Sequence, residues 1–421
     1  MKTVKYIIIG AGDRGTRYAS FANQHPDLAQ VVGVAEPRES ARKPLVNTHQ
    51  IPADNIYTDW KEVAKREKFA DAVIITTQDA MHTEPAIAFA NKGYHILLEK
   101  PMAPNPRDCR DIVQAVKENQ VVMAVGHVLR YTPYTQTLKS RLDAGAIGEI
   151  VSIQHLEPVG YWHQAHSYVR GNWRNEAESS FMLLAKSCHD LDWIRYIIGE
   201  KCLSISSFGA LKHFKRSEKP PEAGEAMRCL DCTYEPNCPY SAKKLYLGRL
   251  NDGKTDWPLN VITFDLTLEG VTKALQQGPY GRCVYECDND VVDNQVVNMF
   301  FQGGKTASFT MTAFTSAGHR PSDRKTRIFG TNGELNGDGT IIHISDFLTG
   351  QTEVIDTSSS DGTTLSGHGG GDYRLMSTFI EAVGNNDPSL LLSGPDETLE
   401  SHLMVFAAEQ ARRENRVVDM V

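Results

Sequence analysis

Three groupings of side chains in this sequence have types and spacings that can do chemistry. The first is Glu99-Lys100-Pro101, where an apolar run ends in a carboxylate, an ammonium and an imino ring. A lysine amine standing where two domains meet can bind an oxygen and pass it a proton. The second is a segment dense in aromatic and hydrogen-bonding side chains, with Glu157 followed by Tyr161, Trp162, His163, His166, Tyr168, Arg170, Trp173 and Arg174. Rings that cover C–H faces and polar tips that read hydroxyls suit such a set to sugars and cyclitols; a rigid interface loop is the alternative. The third is Cys229-Leu230-Asp231-Cys232 with Cys238 beyond it, half of a zinc pattern. Thiolates so spaced chelate Zn²⁺ or an iron–sulfur cluster, with a fourth ligand from Cys283, Cys287 or His213; three reduced thiols in a Pro-rich flap are the plain alternative.

Composition bounds what these groups serve. The 421 residues, 41% hydrophobic and 23% charged, can bury a large core and should divide into two or three compact units. A net charge of -8 without a basic run gives nucleic acid or an anionic membrane nothing to hold. No secretory signal precedes the first strand and no later stretch reaches membrane-spanning length, which points to the cytoplasm. There the eight cysteines would be reduced thiols or metal ligands.

The elements that must position Lys100 read as strand and helix in alternation. The run Tyr6–Ile9 is a buried strand ending in Gly10-Ala11-Gly12-Asp13-Arg14-Gly15, a G-x-G-x-x-G turn that opens a helix. Its glycines permit the turn, let a pyrophosphate approach the backbone and let the helix pack on the strand, with the phosphates on the helix N-terminus. A second strand, Val31–Ala35, delivers Glu36, about 20 residues past the turn, where a carboxylate accepts both adenosine ribose hydroxyls. That favours NAD over NADP, although Arg38 could meet a 2′-phosphate or stack on adenine. A helix over Asp59–Lys68, a strand over Ala72–Thr76, a helix over Thr83–Asn91 and a strand over His95–Leu98 follow. Thr77, Gln78, Asp79 and His82 fall at a carboxyl strand end, where ligands of open α/β sheets bind. After a helix over Pro106–Glu118 and a strand over Val121–Val125, the boundary falls near His127, giving a Rossmann domain of residues 1–127 and a second domain of residues 128–421.

In the second domain the spacing predicts a helix over Thr132–Ala144, a strand over Ile150–His155 and a long amphipathic helix, Phe181–Ile198, with Lys186 and His189 one turn apart on one face. An insertion rich in Lys, Pro and Glu occupies about 212–256. Alternating runs predict strands at Val261–Leu266, Asp290–Gln302 and Ala307–Phe314. Asp372, closing Gly367-His368-Gly369-Gly370-Gly371, should cap a helix starting near Tyr373; His368 could reach substrate, with a mobile loop as the default. A last helix, Ser393–Asn415, should pack back beside the first domain.

The glycine turn, Thr77-Gln78-Asp79-Ala80-Met81-His82, the run Gly93–Pro101 and His189-Asp190-Leu191-Asp192 together resemble the Gfo/Idh/MocA oxidoreductase family over nearly the whole chain. The resemblance implies a Rossmann domain, then an α+β domain whose predominantly antiparallel open sheet covers the nicotinamide and often forms the interface of a homodimer or homotetramer. Glu99 and Lys100 would then stand among the cofactor contacts, and Arg130 resembles the family's arginine that fixes the loop or a substrate oxygen. His189 matches the family's catalytic histidine: a neutral imidazole takes the hydroxyl proton as hydride leaves the same carbon, with Lys100 lending positive potential to the alkoxide. A cis Lys100–Pro101 bond is expected on the same grounds. The chain departs from inositol-dehydrogenase-like members at Ala185, where those carry Asp. Lys186 would take over part of that role, Lys100 and Lys186 lowering each other's pKa.

The resulting reading is an NAD-dependent enzyme acting on a secondary alcohol of a sugar, glycoside or cyclitol. One alternative is a glycosidase that uses bound NAD transiently, oxidising one carbon to acidify its neighbour. Another is a non-catalytic NAD-bound sensor or assembly protein, indifferent to H189A.

Overall fold

The computed structural model describes residues 2–317, 324–358 and 367–420. Short β-branched runs ending at polar residues form six parallel strands: β1 (Val4–Ile9), β2 (Ala29–Ala35), β3 (Ile56–Tyr57), β4 (Ala72–Ile75), β5 (His95–Leu98) and β6 (Met123–Val125). Their order is β3-β2-β1-β4-β5-β6, the doubly wound arrangement of a Rossmann sheet. Every strand in it is paired in parallel, so the carboxyl ends line one edge. Between them run α1 (Asp13–Gln24), α2 (Glu39–His49), α3 (Trp60–Lys65), α4 (Thr83–Asn91) and α5 (Pro106–Glu118). Asn105 accepts from Asp108 N at 2.9 Å to cap α5, with Pro106 at its first position.

The second domain carries α6 (Pro133–Asp143), the short α7 (Tyr161–His163) running into a π-helical segment at Gln164–Arg170, and α8 (Met182–Ile198). Its nine-stranded sheet adds β7 (Ile150–Pro158), β8 (Cys202–Ala210), β9 (Asn294–Phe301), β10 (Thr306–Thr312), β11 (Lys325–Gly330), β12 (Gly333–Gly337), β13 (Ile341–Asp346), β14 (Thr352–Asp356) and β15 (Val418–Asp419), in the order β14-β13-β12-β11-β7-β10-β9-β8-β15. All neighbours are antiparallel except β10 with β7, where Thr306 faces Ser152 and Thr312 faces Pro158. Along β9 the even positions Val296, Asn298 and Phe300 are exposed while Val297, Met299 and Phe301 are buried, the period-two pattern of a sheet with one covered face. That face holds a core with α8 and α12 (Pro395–Glu414).

The insertion and the C-terminal part depart from simple reading. No strand forms over 261–266: Leu259–Val261 is a 3-10 turn, and Asp265 with Thr267 builds the N-terminus of α10 (Leu268–Gln277), which follows the short α9 (Gly248–Asn251). Local side-chain bonds to the backbone outcompete the alternating pattern there. Helix α8 is buried almost all round rather than amphipathic. The last two long helices return to the Rossmann sheet. Leu375, Met376, Phe379 and Ile380 of α11 (Gly371–Asn385) join the core on one face of it, and Phe406 of α12 packs against the core on the other. Among the described residues no helix is long and apolar enough to cross a membrane.

Candidate active site

At the carboxyl end of β1 the chain turns through Gly10 at φ +94°, where a Cβ would come within 2.9 Å of Thr76 O. A Cβ on Gly15 would fall 2.0 Å from Gly10 O, so α1 starts flush against the turn. At Gly12, by contrast, a Cβ would meet only Arg38 Nη2, at 3.8 Å, which leaves its backbone open to approach. Glu36, at the end of β2, accepts from Ala11 N at 2.9 Å and Arg38 N at 3.0 Å, and takes Arg38 Nε at 2.8 Å. Thr77 and Gln78 follow β4 beside the same turn, half-buried and exposed. An open backbone at a helix N-terminus with a carboxylate held next to it fits a dinucleotide, the pyrophosphate on the turn and Glu36 towards ribose.

Four expected cofactor contacts are otherwise engaged. Asp13 pairs with Arg17 at 3.2 Å. His82 is fully buried, its ring nitrogens 2.8 Å from Pro101 O and 3.1 Å from Thr77 O, so it braces the Lys100 loop. Arg14 turns away from the turn, giving Nε to Glu99 Oε1 at 2.6 Å and both terminal nitrogens to Asp372, at 3.1 and 2.7 Å. Glu99 also accepts from Tyr18 OH at 2.8 Å and from Lys100 N at 2.8 Å, which makes it the anchor of the lysine's backbone. Burial would raise the Glu99 carboxyl, but Arg14 and Lys100 outweigh it and hold it low.

Lys100 leaves the first domain across its cis bond to Pro101, and its Nζ donates to Ala185 O at 2.7 Å. That carbonyl lies one turn before His189 on α8. His189 is buried, with no hydrogen bond to Nδ1 among the described residues; its ring lies 5.6 Å from that of His127 and 6.1 Å from that of His368. Burial first, then Lys100, His127 and His368, pushes it well below the ordinary histidine range and keeps it neutral. The neighbouring Cys188 thiol is pushed up to about 12 by burial and is inert.

Several other expected site residues are placed differently from the reading above. Lys186 is held by Glu157 at 2.9 Å, and the far oxygen of Glu157 takes Arg324 at 2.9 Å. Arg324 also reaches Asp190 at 2.6 Å, and His155 stands 3.2 Å from the same oxygen. Lys186 is thereby an ion-pair member facing the site rather than a free partner of Lys100. Arg130 is engaged by Asp192, Nε and Nη2 each donating at 2.7 Å, with its guanidinium 4.9 Å over Tyr196, so it stands as a buried anchor. His166 bonds Tyr246 OH of the insertion at 2.7 Å and stacks on Tyr280 beyond it at 4.9 Å. Arg174 bridges Asp288 and Glu178 at the surface. His163 is the histidine of that segment that faces the lysines: burial, then Lys186, His166 and Lys100, keep it neutral. Tyr161, half-buried, lies with its ring 6.2 Å from Tyr240. Trp173 Nε1 donates to Asp79 Oδ1 at 3.5 Å across the domain junction. Asp372 caps nothing, because α11 has begun at Gly371 and the carboxylate has turned to Arg14.

The zinc expectation is corrected. Among the described residues no three His, Cys, Asp or Glu side chains gather to hold an ion. Arg170, almost fully buried, supplies the cation instead, its Nη2 3.4 Å from Cys229 Sγ and its Nε bonded to Arg282 O at 2.7 Å. Cys287 gives its thiol to Cys283 O at 3.2 Å and is pushed up to about 11 by burial, away from the thiolate a metal needs.

Features around the site that were not foreseen are Arg324, His127 with its Nδ1 3.6 Å from Asp192, and the bond between His368 and Asp372. The position of Asp79 at a carboxyl strand end carried a signal. Nothing in the sequence joins Arg324 to Glu157 or Asp190, which lie more than a hundred positions away.

The chain matches two family models: "Oxidoreductase family, NAD-binding Rossmann fold" over residues 4–127 and "Oxidoreductase family, C-terminal alpha/beta domain" over residues 139–420. It is 29% identical over 208 residues to 2,7-anhydro-N-acetylneuraminate hydratase of Escherichia coli (strain K12), covering 49% of this chain and 52% of that protein. It is 25% identical over 232 residues to scyllo-inositol 2-dehydrogenase (NAD(+)) of Bacillus subtilis (strain 168), covering 54% and 64%. The chain thus spans about half the length of the first of these curated relatives and under two thirds of the second. Among solved structures, levoglucosan dehydrogenase in complex with NADH superposes with a TM-score of 0.72 at 18% identity, covering 100% of this chain and 99% of that one.

Proposed function

The chain belongs to the Gfo/Idh/MocA oxidoreductase family, and on that premise we propose that it oxidises or reduces a secondary alcohol of a sugar, glycoside or cyclitol with NAD. The observation that carries this is the approach of Lys100, from the end of β5, to the turn of α8 that precedes His189. NAD, when bound on the glycine turn, supplies the hydride acceptor. His189, neutral and facing Lys100, takes the hydroxyl proton. Lys100 stabilises the oxygen as charge develops on it, having exchanged a carbonyl for it. His163, which feels the charge of both lysines, together with Tyr161 and Trp173 supplies rings and polar tips for the rest of the substrate. Glu36, already bonded to the turn, favours NAD over a 2′-phosphorylated cofactor. The named activities of the relatives, on a cyclitol and on anhydro sugars, support this substrate class.

A second reading is favoured by one observation. His368, bonded at 3.2 Å to Asp372, brings its ring within 6.1 Å of that of His189. Redox-assisted elimination needs two proton-transfer groups, one at the oxidised alcohol and one at the neighbouring carbon, and this pair of imidazoles supplies them. A panel of sugars, cyclitols and simple glycosides separates the two: lasting NADH formation marks a dehydrogenase, and sugar release or hydration without it marks the other. No turnover of either kind, with H189A indistinguishable from wild type, would leave an NAD-bound sensor.

The same proposal extends to assembly and location. The uncovered face of the nine-stranded sheet presents Phe208, Val296 and Phe300, apolar enough for a homodimer or homotetramer interface, which light scattering would test. All eight cysteines stand as free thiols, in keeping with a reducing compartment such as the cytoplasm, which fractionation would test.

A further inference from the structure

We infer that Asp372 is a positioning residue that, through Arg14, couples the dinucleotide turn to the arm bearing His368, so that NAD binding orders this arm over His189. The inference rests on the reading of the glycine turn as an NAD site and goes beyond it. Arg14 belongs to that turn, yet its side chain serves other partners. It clasps Asp372 in a two-point contact and spends Nε on Glu99, whose second oxygen holds the backbone of Lys100. A forked guanidinium–carboxylate contact fixes direction as well as distance. Asp372 lies at the base of the arm and reaches back to His368 Nδ1. One guanidinium thus ties together the cofactor turn, the backbone of the lysine and the second histidine.

The arm needs such a tie. His368 itself sits at φ +47°, left-handed for a residue with a Cβ, and Gly369 and Gly370 continue at +62° and +88°. Such backbone persists only where contacts hold it, and His368 is held by its bond to Asp372 and by the approach of its ring to that of His189. Gly371 presses so closely on Val128 that a Cβ would fall 2.3 Å from its carbonyl oxygen, which pins the base while the tip depends on Asp372. The Asp372 carboxyl, which burial alone would raise, is held far below the carboxylate range by His368 and Arg14, so its charge is permanent. A ligand that fixes the turn therefore fixes Arg14, then Asp372, then His368, and by reciprocity anything that closes the arm tightens NAD.

The test is deuterium exchange at the amides of residues 368–372, with NAD alone as probe, in wild type, D372N and R14K. Saturating NAD should slow exchange there about tenfold in wild type and less than about twofold in D372N. R14K, which keeps the charge but not the fork, should fall between. Amides of α8 serve as the control and should respond alike in all three. Equal protection in D372N and R14K, or none in wild type saturated with NAD, would overturn the inference alone. Failure of wild type to bind NAD would overturn the reading of the glycine turn together with it.

Discussion

The glycine turn and the aromatic segment that opens with Tyr161 look equally functional in sequence, and the structure treats them in opposite ways. In the turn, function resides in backbone: Gly10 needs a positive φ, Gly15 needs the absence of a Cβ, and Gly12 stays open. Those demands are local and write themselves into residue type. In the aromatic segment, function resides in what each side chain meets. His163 lies in the field of two lysines, while His166, three positions on, meets Tyr246 of the insertion and Tyr280 beyond it. Arg170 goes to Cys229 and Arg174 to Asp288. Polar, aromatic composition marks a dense interior as readily as a binding surface.

The comparison can be broken where it is strongest. H189A and K100M should lower kcat/KM by about 10²- to 10⁴-fold while NAD affinity in titration stays near wild type. R130M should instead strand Asp192 in the interior and cost about 3–5 kcal/mol of stability, seen as a lower Tm, because both charges of that pair are buried. A catalytic loss in R130M without a drop in Tm would restore it as a substrate contact and undo the contrast.

The buried histidines give a graded test. His127 and His166 are pushed down to about 3 and His402 to about 4, chiefly by burial, and all three stay neutral in the folded protein. Unfolded, each titrates near 6.5, so below that pH the unfolded chain binds more protons. Stability is therefore full above about pH 6.5 and falls by about 1.4 kcal/mol per pH unit for each histidine as the pH drops towards about 4. Urea midpoints at pH 7, 6 and 5 would show it, and H166F should flatten the slope by one histidine's share. The acid limb of kcat/KM should lie well below 6.5 and move upward in a K100M variant of residual activity, since Lys100 is the largest cause after burial. The smallest effect is on the cofactor: E36Q frees Arg38 and should shift the NAD to NADP affinity ratio by about tenfold towards NADP.

How much of this was legible follows the same line. Five strands of the Rossmann sheet, α4 and α5 stand where periodicity places them, because each buries its own pattern against the next; the edge strand β3, two residues long, is too short to show a pattern and was not foreseen. The strand expected at Val261–Leu266 did not form, since Thr267 and Asp265 bond their own backbone into a helix start. The meeting of Lys100 with the turn of α8 before His189 was legible through the motifs around them. The partnership of Glu157 with both Lys186 and Arg324 was not, because a salt bridge between elements leaves no spacing to read.

The return of α11 and α12 also bears on how this chain can acquire its shape. Leu375, Met376, Phe379 and Ile380 lie in the same core as Tyr6, Ile8 and Val31, and Met102 N donates to His402 Nε2 at 2.9 Å. The Rossmann sheet thus has one face closed by a helix that lies far along the chain from its first strand. Loop closure over some 370 residues must be met before that face is dry, which is costly in entropy and slow. That face of the Rossmann sheet is therefore not covered until α11 has docked, so its burial depends on residues of the second half of the chain.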